Sequence, residues 1–205
     1  LNFEIIISFI SASVVLTLMP GPDIIYVLLQ SISNGKKYGI VTALGLVSGI
    51  LVHTSLVAFG ISVFITQTPN LFFLLKIFGA IYMVYLAYLS YNSSEEISVE
   101  NTVEKKNVWK LYIQGFIMNV VNPKVSIFFL AFFPSFLYST NQSITTQFYV
   151  LGFLFIIQAF IIFSIVSLLA GNFSNYIKLH PKFNSNLKWI KIMVFLGIAL
   201  FILFS

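Results

Sequence analysis

Met19-Pro20-Gly21-Pro22-Asp23 interrupts an apolar run that extends over Phe3–Leu18 on one side and Ile24–Leu29 on the other. Pro20 has no backbone N–H and disfavours helix at Met19, so one helix is expected to end there. Gly21 admits almost any turn, and Pro22 has the φ of a first helical residue. Asp23 then falls at the second position of the restarted helix. Hydrocarbon offers no water to the freed backbone groups, so such a break survives only where protein buries it or where it lines a polar cavity. A second break, Asn119-Val120-Val121-Asn122-Pro123-Lys124, lies half the chain away. The same 101 residues separate Pro22 from Pro123 and Asp23 from Lys124. One interruption is followed by an acid and the other by a base.

Composition sets the class. Only 8% of the 205 residues are charged and 59% are hydrophobic, against roughly 25% charged in a soluble domain. A lipid bilayer is therefore the expected surroundings, with a single transmembrane domain over residues 1–205. The chain has no cysteine, which removes disulfides, thiolate metal sites and thiol catalysis together. The net charge of +5 sits in loops, and the soluble basic face that nucleic acid would need is missing. Phe3–Leu18 lacks the basic flank and small-residue cleavage site of a signal peptide, and reads as part of a longer spanning element.

Six spanning segments are predicted: Phe3–Ser31, Tyr38–Thr66, Leu71–Tyr91, Val108–Leu137, Thr145–Ala170 and Leu187–Phe204. Each comes near or exceeds the ~20 residues needed to cross. The connections Ser31–Lys37, Asn92–Asn107 and Gly171–Asn186 all carry lysine, whereas Gln67–Asn70 and Tyr138–Ile144 carry none. By the positive-inside rule the lysine-bearing connections are cytoplasmic and both termini lie outside. Lys76 is the exception. Trp109 and Trp189, beside Lys110 and Lys188, read as anchors at the cytoplasmic interface. The mixed-charge stretch over 92–107, with Glu95, Glu96, Glu100, Glu104, Lys105 and Lys106, reads as a solvated linker between halves 1–91 and 108–205. Three segments on each side of it make the halves enter the membrane from opposite faces, the plan of an inverted repeat. The expected fold is thus an all-α polytopic membrane protein with helices one and four broken at Pro20, Gly21, Pro22 and Pro123.

Two charged residues at membrane depth ask for a reason. A carboxylate there costs roughly 2.5–3.5 kcal/mol on insertion scales, more than the 0.3–1 kcal/mol that a helix N-terminus returns to Asp23. Lys124 meets the wrong end of its helix dipole, so a carboxylate, an anion or a route to the interface must hold it. Asp23 is the partner expected for Lys124 across a central axis. His53 follows Gly45 and Gly49 at helical spacing, on a small-residue stripe that lets another helix approach closely. Its side chain titrates near neutrality and suits a proton carrier, although a buried histidine bonded to a backbone carbonyl is the commoner arrangement. Asn119, Asn122 and Ser126 are expected to satisfy backbone groups freed by the second break. Gln158 is expected to make an interhelical hydrogen bond. Tyr82, Tyr85 and Tyr88 recur along segment three as packing or interface residues.

Pro20-Gly21-Pro22-Asp23, the Gly45, Gly49 and His53 stripe, Gly79-Ala80-Ile81-Tyr82-Met83-Val84-Tyr85-Leu86 and Asn122-Pro123-Lys124 occur in one order. In this the chain resembles, over nearly its whole length, the LysE/RhtB family of bacterial amino-acid exporters. The family pattern usually closes the glycine-tyrosine motif with Gly, where this chain has Ala87. The resemblance implies a small inner-membrane protein that expels its substrate with the proton motive force, often as a homodimer. It maps the family's acid onto Asp23 and its lysine onto Lys124.

The expected function is export of a small amino acid by alternating access, coupled to protons. The substrate's carboxylate would meet Lys124 and the two helix N-termini, and its ammonium Asp23. Asn119, Asn122, Gln158, Tyr82 and His53 complete the expected substrate- and proton-binding set. No cofactor and no metal site is expected. The alternatives are efflux of a divalent metal or another small solute, which would want clustered acids or histidines, and a membrane enzyme, for which no catalytic set is present. Topology is directly testable in a chain free of cysteine. Cysteine introduced at Lys36 should react with an impermeant thiol reagent only from the cytoplasm, and at Gln142 only from outside. Labelling of Lys36→Cys in intact cells would overturn the orientation.

Overall fold

The computed structural model describes residues 3–61, 69–92, 107–170, 172 and 182–204. Every regular element among them is helical. In chain order they are α1 (Phe3–Leu18), α2 (Pro22–Asn34), α3 (Lys36–Leu56, continued by a π-helical turn Val57–Ile61), α4 (Pro69–Asn92), α5 (Val108–Val120), α6 (Pro123–Ile127), α7 (Ile144–Leu168) and α8 (Lys182–Phe204). The acidic linker residues Glu95, Glu96, Glu100 and Glu104, with Lys105, Lys106 and Lys178 and with Gln67 and Thr68 of the Gln67–Asn70 connection, lie outside the described residues.

Lys36–Gly60, Phe73–Asn92 and Ile144–Leu168 are each long and apolar enough to cross a membrane alone. Two bent pairs also qualify when each is taken as one span: α1 with α2, bent by 57°, and Val108–Val120 with Pro123–Phe136, bent by 47°. The breaks therefore fall where the prolines require them.

Three boundaries differ from the sequence reading. Ser31–Lys37 is not a loop, because α2 runs to Asn34 and α3 starts at Lys36. Gly35 alone makes the reversal, at φ 99°, a conformation that a side chain would oppose. The last helix begins at Lys182 rather than at Leu187. Beyond Pro123 the fourth segment is not a plain helix. Five α-helical residues give way to a π-helical turn, Phe128–Phe132, and then to a 3₁₀ turn, Phe133–Phe136. Pro134 has no N–H to give an α-helical ladder, which the tighter turn accommodates.

The helices that carry the small-residue stripe pack most closely. A Cβ on Gly45 would fall on the carbonyl oxygen of Tyr112, and one on Gly115 would lie 2.5 Å from that of Thr42. Backbone thus meets backbone where α3 crosses α5. Elsewhere α4 packs on α8, α7 on α3, and α1 on α7. Near the N-terminal half of α1 the core is aromatic. Phe9 lies edge-on to Phe133 and Phe136, both at 5.4 Å, and Phe133 stacks on Phe148 at 5.5 Å. Phe129 joins them at 4.4 Å from Phe133 and 5.4 Å from Phe155. Gln147 closes this end. Its buried amide accepts from the N–H groups of Tyr138 and Ser139 and donates to the carbonyls of Ser139 and Gln142, so one side chain pins the whole connection to α7.

At the opposite end Trp189 contacts the Tyr91 ring edge-on, and Lys188 lies 5.3 Å from the same ring. Trp109 and Trp189 are both exposed, as interface anchors would be. Gly115→Val and Gly45→Val should each destabilise the detergent-purified protein by at least ~1–3 kcal/mol, because no side chain can yield at that crossing. Gly60→Val and Gly197→Val, with nothing within 4 Å, should shift its thermal unfolding little. Equal effects at all four positions in a melting series would contradict the crossing.

Candidate functional site

The two breaks meet. Pro22 stands first in α2 and Asp23 second, after an extended Gly21 at φ −149° and ψ 178°. Any residue can adopt that backbone, so the freedom of glycine is not what the position requires. Space is the requirement: a Cβ on Gly21 would lie 2.8 Å from Asp23 Oδ1 and 3.0 Å from Lys124 Nζ. At the second break Asn122 Oδ1 accepts the N–H of Lys124 at 3.0 Å, and Pro123 opens α6. This cap sets the lysine side chain towards α1.

Lys124 Nζ lies 3.3 Å from Asp23 Oδ2 and 3.4 Å from Oδ1. It also donates to the carbonyls of Met19, at 3.3 Å, and Leu16, at 3.4 Å. These belong to the last turn of α1 and the break itself, where backbone carbonyls are left without helical partners. The negative end of one helix and the carboxylate at the start of the next thus hold the ammonium together. Both side chains are buried, which rules out snorkelling for Lys124. Every contact is longer than the 2.7–2.9 Å of a tight charge-assisted bond. The charge is shared among four acceptors and committed to none.

The other sequence-predicted residues divide into two groups. Asn119 and Asn122 are at the pair. Asn119 Oδ1 and Asn122 Nδ2 are buried without a hydrogen-bond partner, an arrangement that protein interiors rarely leave unfilled. Ser126 donates to Asn122 O. His53 is one step removed: its Nε2 lies 3.1 Å from Asn119 O. A carbonyl can only accept, so Nε2 carries the proton and the imidazole braces the freed end of α5. Gln158 joins helices as expected, donating to Thr17 Oγ1 at 3.0 Å. The Tyr82 ring lies 6.0 Å from that of Tyr85, and the side chain packs against the core. No group of three or more His, Asp or Glu side chains that could hold a metal ion occurs among the described residues.

Space around the pair is unequal. On one side a small pocket of ≈ 10 Å³, reaching Thr17, Asn119 and Phe155, is at the limit for a single water. On the other an open vestibule of ≈ 210 Å³ lies between the two breaks and Leu86, Ser90, Lys191 and Phe195 of α4 and α8. Two arms of equal length, the 13 residues of α2 and the 13 of α5, connect the breaks to the lysine-bearing ends. At 1.5 Å per residue each spans roughly 20 Å. The sequence reading missed Lys191 as a vestibule residue, since a lysine near the start of a lysine-rich helix looks like any interface charge. It also missed the irregular turns past Pro123, although Pro134 signalled them.

Comparison with known proteins finds relatives among efflux proteins. The chain is 25% identical over 178 residues to a homoserine/homoserine lactone efflux protein of Salmonella typhimurium, covering 87% of this chain and 86% of the relative. It is 27% identical over 174 residues to a leucine efflux protein of Salmonella choleraesuis, covering 83% and 81%. An uncharacterized membrane protein of Vibrio cholerae is 29% identical over 183 residues, covering 87% and 86%. No solved structure matches. The sequence model of the LysE type translocator family matches residues 14–205, so the chain belongs to that family, whose members are transporters and not enzymes.

Proposed function

We propose that this protein exports a small amino acid, or a close derivative, across the bacterial inner membrane by alternating access driven by the proton motive force. The observation that carries the reading is the buried Asp23–Lys124 pair, held between two broken helices with an open vestibule on one side and packed aromatic rings on the other. The named relatives, which export homoserine, its lactone and leucine, favour a substrate of that class. The lysine-bearing ends are read as cytoplasmic, α8 as a sixth span, and the vestibule as open to the cytoplasm.

In the proposed cycle the substrate enters from the vestibule and replaces the loose contacts of the pair. Its carboxylate takes Lys124 and its ammonium takes Asp23, so neither charge is left alone. Asn119 Oδ1 and Asn122 Nδ2 supply an acceptor and a donor that make no other hydrogen bond. A proton from outside neutralises Asp23 after the aromatic side has opened. That step releases the ammonium, and the pair reforms when the proton leaves to the cytoplasm. His53, committed to Asn119 O, positions the break. Corresponding elements of the two halves lie against each other, α3 on α7 and α4 on α8, as halves related by an in-plane axis would. Energetics allow the coupling. A hundredfold gradient of a zwitterion opposes export by about 2.7 kcal/mol, and a proton crossing ~100 mV returns about 2.3 kcal/mol before any pH gradient is added, so one or two protons for each substrate suffice.

Cells lacking the protein and fed dipeptides should accumulate one amino acid, and the wild-type gene should relieve it. Asp23→Asn and Lys124→Gln should each abolish the relief and also lower folded protein, since removing one partner of a buried pair costs ~3–5 kcal/mol. The double variant, with no stranded charge, should regain folded protein and still fail to export. Wild-type export by the double variant would remove the pair from the mechanism.

A further inference from the structure

We infer that the cage around Lys124 Nζ is a seat for a primary ammonium group, which the lysine fills in place of the substrate and yields when the substrate's own ammonium arrives. This deepens the exporter reading, on which it rests. It adds two main-chain carbonyls as binding groups and makes the N–H groups of the substrate a basis of selection. The seat originates in the first break. In an unbroken helix the Leu16 carbonyl would accept from the residue four further on, but that residue is Pro20 and has no N–H. Helix α1 ends at Leu18, so Met19 O lies past its last turn. Lys124 Nζ donates to both carbonyls, at 3.4 Å to Leu16 O and 3.3 Å to Met19 O, and the Asp23 carboxylate completes the cage at 3.3 Å. Three acceptor groups surround one nitrogen, and an –NH₃⁺ group has three N–H bonds to give.

None of these acceptors is particular to a lysine, and the seat adjoins the vestibule. Gly21 lines that cavity, and a Cβ on it would lie 3.0 Å from Lys124 Nζ and 2.8 Å from Asp23 Oδ1. The seat thus stands directly behind a residue that has no side chain. Lys124 itself lines both the vestibule and the small pocket on the far side of the pair. Exchange of one ammonium for another replaces each loose contact by an equivalent one, so no buried acceptor is stranded. The displaced lysine keeps its charge matched, because the substrate brings a carboxylate with its ammonium. A quaternary nitrogen fails on both counts: it has no N–H to donate, and its methyl groups fall where the acceptors lie.

The test uses the full chain with Lys124→Ala, which vacates the seat and leaves its acceptors in place. Free n-propylammonium is the missing end of the side chain. It should raise the yield of folded variant and its melting temperature, with a shift that grows with the logarithm of amine concentration. Trimethylpropylammonium keeps the chain and the charge but has no N–H, and should do neither. Adding Asp23→Asn should remove the response, and the natural sequence, whose seat is filled, should show none. A second measurement uses the natural sequence in inverted membrane vesicles exporting a pool of primary L-amino acids. Their N,N,N-trimethyl derivatives should compete at least about tenfold more weakly than the parent acids, the loss of one or more hydrogen bonds to a charged group. Equal rescue by the two amines, no rescue of a variant that folds, rescue that survives Asp23→Asn, or equal competition by the methylated pool overturns the seat. Where the variant yields no folded protein in either amine, the competition decides. Export without amine selectivity sinks the seat alone. Selective rescue without export of any pool member sinks the exporter reading and leaves the ammonium seat standing, and neither rescue nor export sinks both.

Discussion

One ammonium group joins the two halves of this protein. Lys124 Nζ takes the carbonyls of Leu16 and Met19 and the carboxylate of Asp23 within 3.4 Å, so it closes the first break from the second. Without it, the end of α1 and the start of α2 would bring unmatched negative charge into a dry interior. Without them, a lysine at the start of a helix would have no reason to be buried. Each anomaly of the sequence resolves the other. The glycine between them exists because the pair fills the space that a side chain would occupy.

The surroundings divide the molecule into a side that packs and a side that admits. Towards the N-terminal half of α1 the rings of Phe9, Phe129, Phe133 and Phe148 interlock, and Gln147 uses its full amide to hold the connection above them. Towards the lysine-bearing ends the helices leave an opening that reaches the floor formed by Lys124. The rings meet edge-on or stacked, the arrangements that aromatic pairs prefer.

Much of this was legible from the residues alone, for reasons of chemistry. Proline positions reported both breaks because a missing N–H acts wherever it falls. The equal spacing of Asp23 and Lys124 from their prolines pointed to partners, and the structure has them 3.3 Å apart. The glycine stripe announced a close helix approach, and the structure supplies α5 as the helix that makes it. Other features were not legible. Hydropathy cannot distinguish a lysine at the rim of a cavity from one at a lipid interface, so Lys191 passed unnoticed. A run of phenylalanines hides the change from α to π to 3₁₀ turns, since apolar content is the same in all three. Tyr82 packs beside Tyr85, and a tyrosine at helical spacing carries no sign in the sequence of which neighbour it faces.

The crossing at Gly45 and Gly115 has a mechanical consequence. Side chains in an interface act as a deformable layer, able to change rotamer as two helices slide. Where carbonyl oxygen meets Cα directly, that layer is missing, and relative motion would collide main chain with main chain within a fraction of an ångström. Helices α3 and α5 therefore form one rigid girder, with His53 on the first and its partner, the Asn119 carbonyl, on the second. The contact of α4 with α8, where the rings of Tyr91 and Trp189 meet, keeps a layer of side chains between the helices and is the more compliant of the two.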